Sequence, residues 1–191
     1  MLYWAVLFIG AVSATPIRMD HRDSLDFGSA HGEARWGINS THLEMELAYP
    51  TKGWVAFGLS PDGHMDDADF LFGYVDDATK EVVVQDRHVV EDHAMHDTMM
   101  MDGHQDWTRI SGMQNNTHTV IRAIRKLQTC DKDDHPFTLD SQHAVFAMDS
   151  RDPPSKSASI SLETTAKTGT EPLDFSHAMS ATDMKSANFR C

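Results

Sequence analysis

The chain has 191 residues, of which 40% are hydrophobic, and this is enough for one domain with a substantial buried core. Its formal net charge is −13, so its surface repels phosphate backbones and anionic lipids. Nucleic acids and membrane surfaces are therefore excluded as expected partners, and cations or basic molecules are favoured.

The first residues of the chain, MLYWAVLFIGAVSA, are uncharged and mostly apolar, and they end in small residues. About a dozen apolar residues are too few to span a bilayer, which takes roughly 20. We therefore predict a secretory signal peptide over residues 1–14 and a mature chain that starts near Thr15. No later apolar run is long enough to span a membrane, so we expect a secreted protein, extracellular or in the lumen of a secretory vesicle.

The middle of the chain shows the pattern of short strands separated by turn signals. Residues 41–49 alternate, with Leu43, Met45, Leu47 and Tyr49 on one face. This spacing predicts an all-β fold, an antiparallel sandwich of one domain. Residues 118–127 fit either a strand or a helix, and the other predicted strands are 53–60, 68–75, 80–86, 143–149 and 158–164.

The segment between Val89 and Trp107 has no strand pattern and is predicted to be a long surface loop. Its histidines and methionines are candidate copper ligands, because imidazole binds copper and thioethers favour Cu(I). The favoured alternative is a solvated loop of skewed composition that holds no metal. The candidate ligands are His93, Met95, His96, Met99, Met100, Met101 and His104.

Two cysteines and two sequons fit an exported protein. Cys130 and Cys191 can oxidise there, and a bridge between them would stabilise the fold by about 4 kcal/mol in the chain-entropy model. A bridge from Cys191 to another chain is the alternative. The sequons that begin at Asn39 and Asn115 predict glycosylated surface turns.

Several spaced motifs carry a family resemblance. The segments GWVAFGLSPDG, ADF, HQDW and LQTCD occur in this order between about Ser24 and Ser150. Together they resemble a DOMON domain, of the type found at the amino terminus of the dopamine β-monooxygenase-like copper monooxygenases. The resemblance implies an immunoglobulin-like β-sandwich, which we place at residues 20–165, and this agrees with the strand pattern.

The resemblance also bears on catalysis. In that family the module precedes two copper-binding domains that carry out hydroxylation and are known by a His-His-Met segment and a His-x-His pair. This sequence contains neither pattern. Residues 166–191 lack periodicity and are predicted to be a linker or tail, whose ending SANFRC resembles the segment that opens the first copper domain.

By itself the chain is therefore expected to be a non-catalytic binding or interaction module, with an extracellular protein or small molecule of unknown identity as its ligand. The alternative is a fragment of a copper- and ascorbate-dependent monooxygenase that hydroxylates a small amine-type substrate. Copper would then belong to the longer chain, or to a disulfide-linked or associated copper-domain partner.

The resemblance implies a site for a Ca-like cation, built from the carboxylates of Asp69 and Asp106 and the backbone carbonyls of Phe70 and Arg87. Calcium takes several oxygen ligands of this mixed kind at about 2.3 to 2.6 Å. Asp69 also interrupts an apolar strand, where an unpaired buried carboxylate is costly. The alternative is that Asp69 accepts backbone N–H groups in a turn.

Some relatives in the same family are cytochromes, in which a haem lies between a methionine after GLSP and a histidine late in the fold. Met65 matches the methionine position. The late segment FAMDS has no histidine, and His143 lies at the start of that strand instead. A haem is therefore disfavoured, because its second axial ligand cannot be placed.

Overall fold

The computed structural model describes residues 17–66, 68–90, 98–132, 134–135, 137–138, 141–163, 166–175 and 179. Among these residues, no helix is long and apolar enough to cross a membrane. The strands are β1 (His21–Asp26), β2 (His31–Ile38), β3 (His42–Tyr49), β4 (Val55–Ser60), β5 (Asp69–Val75), β6 (Val82–Val90), β7 (Thr98–Met101), β8 (Thr108–Gln114), β9 (Thr119–Lys126), β10 (Ser141–Met148), β11 (Ile160–Ser161) and β12 (Lys167–Asp174).

The strands form two antiparallel sheets that pack face to face. The five-stranded sheet has the order β1-β2-β3-β9-β8, and the seven-stranded sheet has the order β11-β7-β6-β5-β4-β10-β12. Inward-facing side chains of both sheets, such as Leu47, Phe57, Leu71, Ile121 and Phe146, build the core between them. The predicted all-β antiparallel sandwich is confirmed.

The seven-stranded sheet also carries a second apolar layer on the side that faces away from the other sheet. We call this layer, which includes Trp54, Phe72, Tyr74, Val145 and Ile160, the outer-face cluster. Every residue of β4 and β5 is buried, because both faces of these strands are covered. Their sequences are therefore apolar almost throughout and do not alternate.

Most predicted strands of the middle of the chain are present, as β3, β4, β5, β6 and β10. The ambiguous segment 118–127 is strand β9, in which residues 119, 121, 123 and 125 are buried in alternation. Pairing with β3 on one side and β8 on the other imposes this period of two. The predicted strand at 158–164 is shorter, since only Ile160 and Ser161 pair, as β11.

The structure contains five strands that the sequence pattern did not predict, namely β1, β2, β7, β8 and β12. The segment 89–107 contains β7, which pairs with the end of β6. The segment 166–191 contains β12, which pairs with β10, and beyond it Phe175 and Met179 are buried. β12 is an edge strand with mostly exposed side chains, so it lacks the apolar pattern by which strands are recognised.

Candidate metal centre

Three buried carboxylates lie between the sheets at one end of the sandwich. The register pairs Asp69 of β5 with His88 of β6, and Leu71 with Asp86, so the side chains of Asp69 and Asp86 both point inward. Asp134, in the segment after β9, adds a third carboxylate. Oxygens of the three groups lie within 4.8 Å of one another. We call Asp69, Asp86 and Asp134 the carboxylate cluster.

One buried cation faces the carboxylate cluster. Arg125 projects inward from β9, and its Nη1 lies 2.9 Å from Oδ2 of Asp69 and 3.8 Å from Oδ2 of Asp134. Its Nη2 donates to the carbonyl of His135 at 3.1 Å. Its guanidinium carbon lies 5.3 Å from the centre of the Trp107 ring. The five-stranded sheet therefore contributes a positive charge to this site, and the seven-stranded sheet contributes two of its three carboxylates.

The charges of this site do not balance. Burial, and then the charge of Asp69, raise the pKa of Asp86 to about 9. Burial also raises the pKa of Asp134 to about 6, with Arg125 opposing the rise and Asp69 adding to it. Burial lowers the pKa of Arg125, but the surrounding carboxylates raise it above its ordinary value overall. Three carboxylates share one guanidinium, and buried charges are costly without partners.

The hydrogen bonding of the carboxylate cluster is also incomplete. Oδ2 of Asp86 accepts the amide of Asp106 at 3.2 Å, and Oδ2 of Asp69 accepts the amide of His135 at 3.2 Å. Within the described part of the chain, Oδ1 of Asp86 is buried without a hydrogen-bond partner, whereas the Thr129 hydroxyl interacts with the Asp134 carboxylate. Orphaned buried acceptors of this kind are rare in native proteins, and hard cations coordinate such oxygens.

A surface recess of about 630 Å³ adjoins the carboxylate cluster. Its lining includes His104, Asp106, Thr129 and Asp131. Asp106 connects the recess to the cluster, because its amide binds the Asp86 carboxylate. The recess is therefore separated from the Asp86 carboxylate by Asp106.

The GLSPDG motif positions the start of β5. A Cβ on Gly58 would lie 2.5 Å from the carbonyl oxygen of Asp69, so only glycine lets β4 approach this closely. The rest of the motif is a solvated turn. The Ser60 hydroxyl accepts the amide of Gly63 at 3.0 Å, and Asp62 accepts the amide of His64 at 3.0 Å.

The structure places two of the predicted ligand residues at this site. Asp69 lies at its centre, as one of the three clustered carboxylates. Asp106 is half-buried beside it and contributes its backbone N–H to Asp86. The carboxylates that join Asp69 are those of Asp86 and Asp134, which the sequence prediction did not include.

The carbonyls of Phe70 and Arg87 belong to the sheet. These residues are paired across β5 and β6, and two positions earlier the amide of Val89 donates to the carbonyl of Ala68 at 2.9 Å. Bonded pairs alternate in an antiparallel ladder, so Phe70 and Arg87 exchange backbone hydrogen bonds with each other. Their carbonyls are therefore already engaged along the ladder.

The Arg87 side chain has a separate role on the opposite face of the sheet. It is fully buried and donates to Oε1 of Gln85, and to the carbonyls of Lys156 and Ala158 at 3.0 and 2.8 Å. Its guanidinium carbon lies 4.5 Å from the centre of the Phe72 ring. Burial lowers the pKa of Arg87 to about 10, so it stays charged at neutral pH and ties the segment before β11 to β6.

The methionines of β7 do not form one group. Met99 packs in the outer-face cluster, and Met101 on the same face accepts a hydrogen bond from Gln85. Met100 points to the inner face, where it is paired with His88. His104 is held by Asp131, with 2.8 Å between Nδ1 and Oδ2. The predicted ligands His93, Met95 and His96 lie outside the described residues.

Met65 lies on the same face of the seven-stranded sheet as His143, whose ring is against Gly63. The Met65 side chain is half-buried and packs on the outer-face cluster.

The predicted disulfide and glycosylation sites stay predictions. Cys130 lies next to the recess, and Cys191 lies outside the described residues. Asn39 and Asn115 occupy equivalent exposed turns, in each of which the asparagine Oδ1 accepts the hydroxyl of the sequon threonine. Their positions in the β2–β3 and β8–β9 turns suit modified surface residues.

Comparisons with known proteins agree with this fold. The family model of the DOMON domain matches residues 32–149. The chain is 37% identical over 145 residues to MOXD1 homolog 2 of Drosophila melanogaster, which covers 74% of this chain and 18% of that protein. It is 32% identical over 152 residues to DBH-like monooxygenase protein 1 of Gallus gallus, covering 78% of this chain and 24% of that one. The chain thus spans about a fifth to a quarter of the length of these relatives.

Two solved structures share the architecture at low sequence identity. The cytochrome domain of Myriococcum thermophilum cellobiose dehydrogenase superposes with a TM-score of 0.64 at 16% identity, covering 87% of this chain and 88% of that one. The cytochrome b domain of pyranose dehydrogenase from Coprinopsis cinerea gives 0.60 at 16% identity, covering 82% and 83%. At this identity the likeness concerns the fold.

Proposed function

The chain belongs to the DOMON family, and on this premise we propose that it is a non-catalytic binding module whose carboxylate cluster holds a hard divalent cation such as calcium. The observation that carries the proposal is the set of three converging buried carboxylates with one guanidinium between them. Hard cations prefer oxygen ligands, and calcium accepts six to eight of them in flexible geometry. Carboxylates supply part of such a set, and water from the adjoining recess supplies the remainder.

The cation would act as a link between parts of the fold. Asp69 and Asp86 belong to the seven-stranded sheet, whereas Asp134 belongs to the segment that follows β9 of the five-stranded sheet. An ion bound to all three would connect β5, β6 and that segment. It would also replace the proton that burial otherwise keeps on Asp86, because a bound metal favours the ionised form of its ligands.

Thermal unfolding with calcium or with chelator tests this function. An ion at 100 times its dissociation constant stabilises by about 2.7 kcal/mol, which for a chain of this size raises Tm by roughly 5 to 11 °C. We expect the calcium-dependent rise in Tm in the wild type and its loss in D134N. D66N makes the same change at an exposed position and should keep the rise. Elemental analysis of the purified protein should find one bound metal per chain. An unchanged Tm together with no bound metal would contradict the proposal.

The role of Asp106 can be separated from that of the carboxylate cluster. The family resemblance makes the Asp106 carboxylate a ligand, while the structure gives only its amide a contact with Asp86. D106N keeps this amide and removes the charge, so we expect it to retain most of the calcium response that D134N loses. Equal losses in both variants would make Asp106 a ligand as well.

A second candidate is that the chain forms part of a longer copper monooxygenase. The favouring observation is that a relative named as a DBH-like monooxygenase is matched over only 24% of its length. The transcript decides between the two. A reading frame that continues past Cys191 into the His-His-Met and His-x-His patterns supports the enzyme, and a stop codon there supports the separate module.

Secretion is part of the first proposal. The apolar segment 1–14 supports export, and the exposed sequon turns at Asn39 and Asn115 suit a glycoprotein. One intact-mass measurement of the product from a secreting host would report signal cleavage and glycans together. A product that retains residues 1–14 inside the cell would contradict this part.

A further inference from the structure

A second group of ligand-type side chains lies on the inner face of β6 and β7. His88 and Met100 are directly paired across these strands, so their side chains share a face, with Cβ atoms about 4.5 to 5.5 Å apart. Asp102 follows β7 directly, and its amide binds the carbonyl of Asp86, which keeps this residue against β6. The register therefore places an imidazole, a thioether and a carboxylate on one face of β6 and β7, and none of them belongs to the carboxylate cluster.

One ring nitrogen of the imidazole in this group, Nδ1 of His88, is buried and has no hydrogen-bond partner among the described residues. It lies 3.5 Å from Oδ2 of Asp102, whose side chain is only 2% exposed. This separation is longer than a normal N–H···O hydrogen bond, for which roughly 2.7 to 3.2 Å is usual.

The same separation suits two ligands of one metal ion. Bonds of about 2.0 to 2.1 Å to a tetrahedral metal place neighbouring ligand atoms roughly 3.3 Å apart. The His88 side chain is 26% exposed, although its Nδ1 is buried, so the group lies close to the protein surface. The surrounding carboxylates, Asp69 among them as the cross-strand neighbour of His88, favour a positive ion.

We propose that His88, Met100 and Asp102 form a copper site, with Nδ1 of His88 and the thioether of Met100 as its defining ligands. A thioether distinguishes this site from the carboxylate cluster, because methionine sulfur favours Cu(I) and is a poor ligand for calcium. The proposal is independent of the calcium site, since the two sites share no side chain.

The strand β7 supplies a matched pair of variants. M100L removes the sulfur of the inward residue at nearly constant volume, and M101L does the same for its neighbour, which points to the opposite face. H88Q removes the imidazole, and H64Q removes an exposed imidazole as its control. Tm measured in chelator on all four variants reports that the fold is intact, whether or not calcium binds.

The affinity of the full-length secreted chain for Cu(I) is measured by anaerobic competition with a chromogenic chelator. We expect M100L and H88Q to weaken Cu(I) binding by at least about 10-fold. Removing even a residue that only supports a metal ligand costs about 10- to 100-fold in affinity. M101L and H64Q should stay within twofold of the wild type. X-ray absorption at the copper edge should show sulfur scattering that disappears in M100L and persists in M101L.

Three results would overturn the proposal. One is the absence of Cu(I) binding by the wild type. Another is unchanged affinity in M100L and H88Q, which would assign any copper to other histidines and methionines of the chain. The third is sulfur scattering that M101L removes and M100L keeps. Each of these outcomes leaves the calcium proposal standing, because the carboxylate cluster is retained in every variant.

Discussion

Replacing Asp86 by asparagine separates the charge of the carboxylate cluster from its shape. Asparagine has nearly the same size as aspartate, and its side-chain oxygen can still accept the amide of Asp106. The variant therefore resembles the protonated form of Asp86, which is the form that burial favours without a metal. D86N should be folded in chelator and should have lost the calcium response.

The pKa of Asp86 sets the size and sign of the effect. It is raised from an ordinary 3.8 to about 9. Between about pH 4 and pH 9, Asp86 of the metal-free folded state therefore holds a proton that the unfolded state has released. The stability contributed by this proton is fully present below about pH 4 and is lost as the pH rises towards 9. In this window the loss is about 1.4 kcal/mol per pH unit.

Between pH 6 and pH 8 the effect is due mainly to Asp86, because the pKa of Asp134 is about 6. A loss of about 1.4 kcal/mol lowers Tm by roughly 3 to 5 °C for a chain of this size. We therefore expect the wild type in chelator to lose about this much per pH unit. Asparagine has no such proton to release, so the Tm of D86N should fall less steeply with pH over the same range, by that amount per pH unit.

Tm is measured by circular dichroism at pH 6, 7 and 8, in chelator and in calcium, for the wild type, D86N and D66N. Histidines that titrate in this range are common to all three proteins and cancel in the comparison. Calcium should flatten the wild-type curve, because the ion stabilises the ionised cluster. Identical slopes for the wild type and D86N in chelator would refute the reasoning, since Asp86 would then not be held protonated.

Three further changes test other contacts of the fold. G58A places a methyl group 2.5 Å from the Asp69 carbonyl oxygen and should cost about 1 to 3 kcal/mol in urea unfolding, whereas G103A, with nothing within 4 Å, should cost less. R87M removes the buried guanidinium and should lower the free energy of unfolding by about 3 kcal/mol or more. R109M, at an exposed position, should change it by no more than about 0.5 kcal/mol. Added haemin should keep the broad Soret absorption of free haemin, and a sharpened, shifted band that M65L removes would instead establish a haem site.

The architecture could be predicted because local patterns and family motifs agreed. The alternation of β3 and the apolar runs of β4 and β5 are set by how many faces of each strand are covered. Strands at the margins of the sheets gave no such signal. β8 and β12 present mostly exposed side chains, and β7 carries three methionines that resemble a loop composition as much as a strand.

The GLSPDG motif was informative for a reason that its conspicuous residues do not reveal. His64 and Met65 attract attention as ligands, yet His64 is exposed and Met65 packs on an apolar layer. Gly58 is the residue with a strict requirement, because it lets β4 lie against the carbonyl of Asp69. The prediction that Asp69 would need a partner followed from its burial in an apolar strand, and Arg125 now supplies one such partner.

The run Gln85-Asp86-Arg87-His88 shows where sequence reasoning ends. Four polar residues in a buried strand signal function, and the period of two divides them between the two faces of the sheet. Gln85 and Arg87 bond to each other on the outer face, while Asp86 points inward to Asp69 and Asp134, and His88 points inward to Asp102. Alternation gives this division directly, and the argument applied to Asp69 would have identified Asp86 too. The sequence could not show which groups contact each of these residues. Their partners, such as Asp102, Asp134 and Lys156, lie in other segments that only tertiary packing brings together.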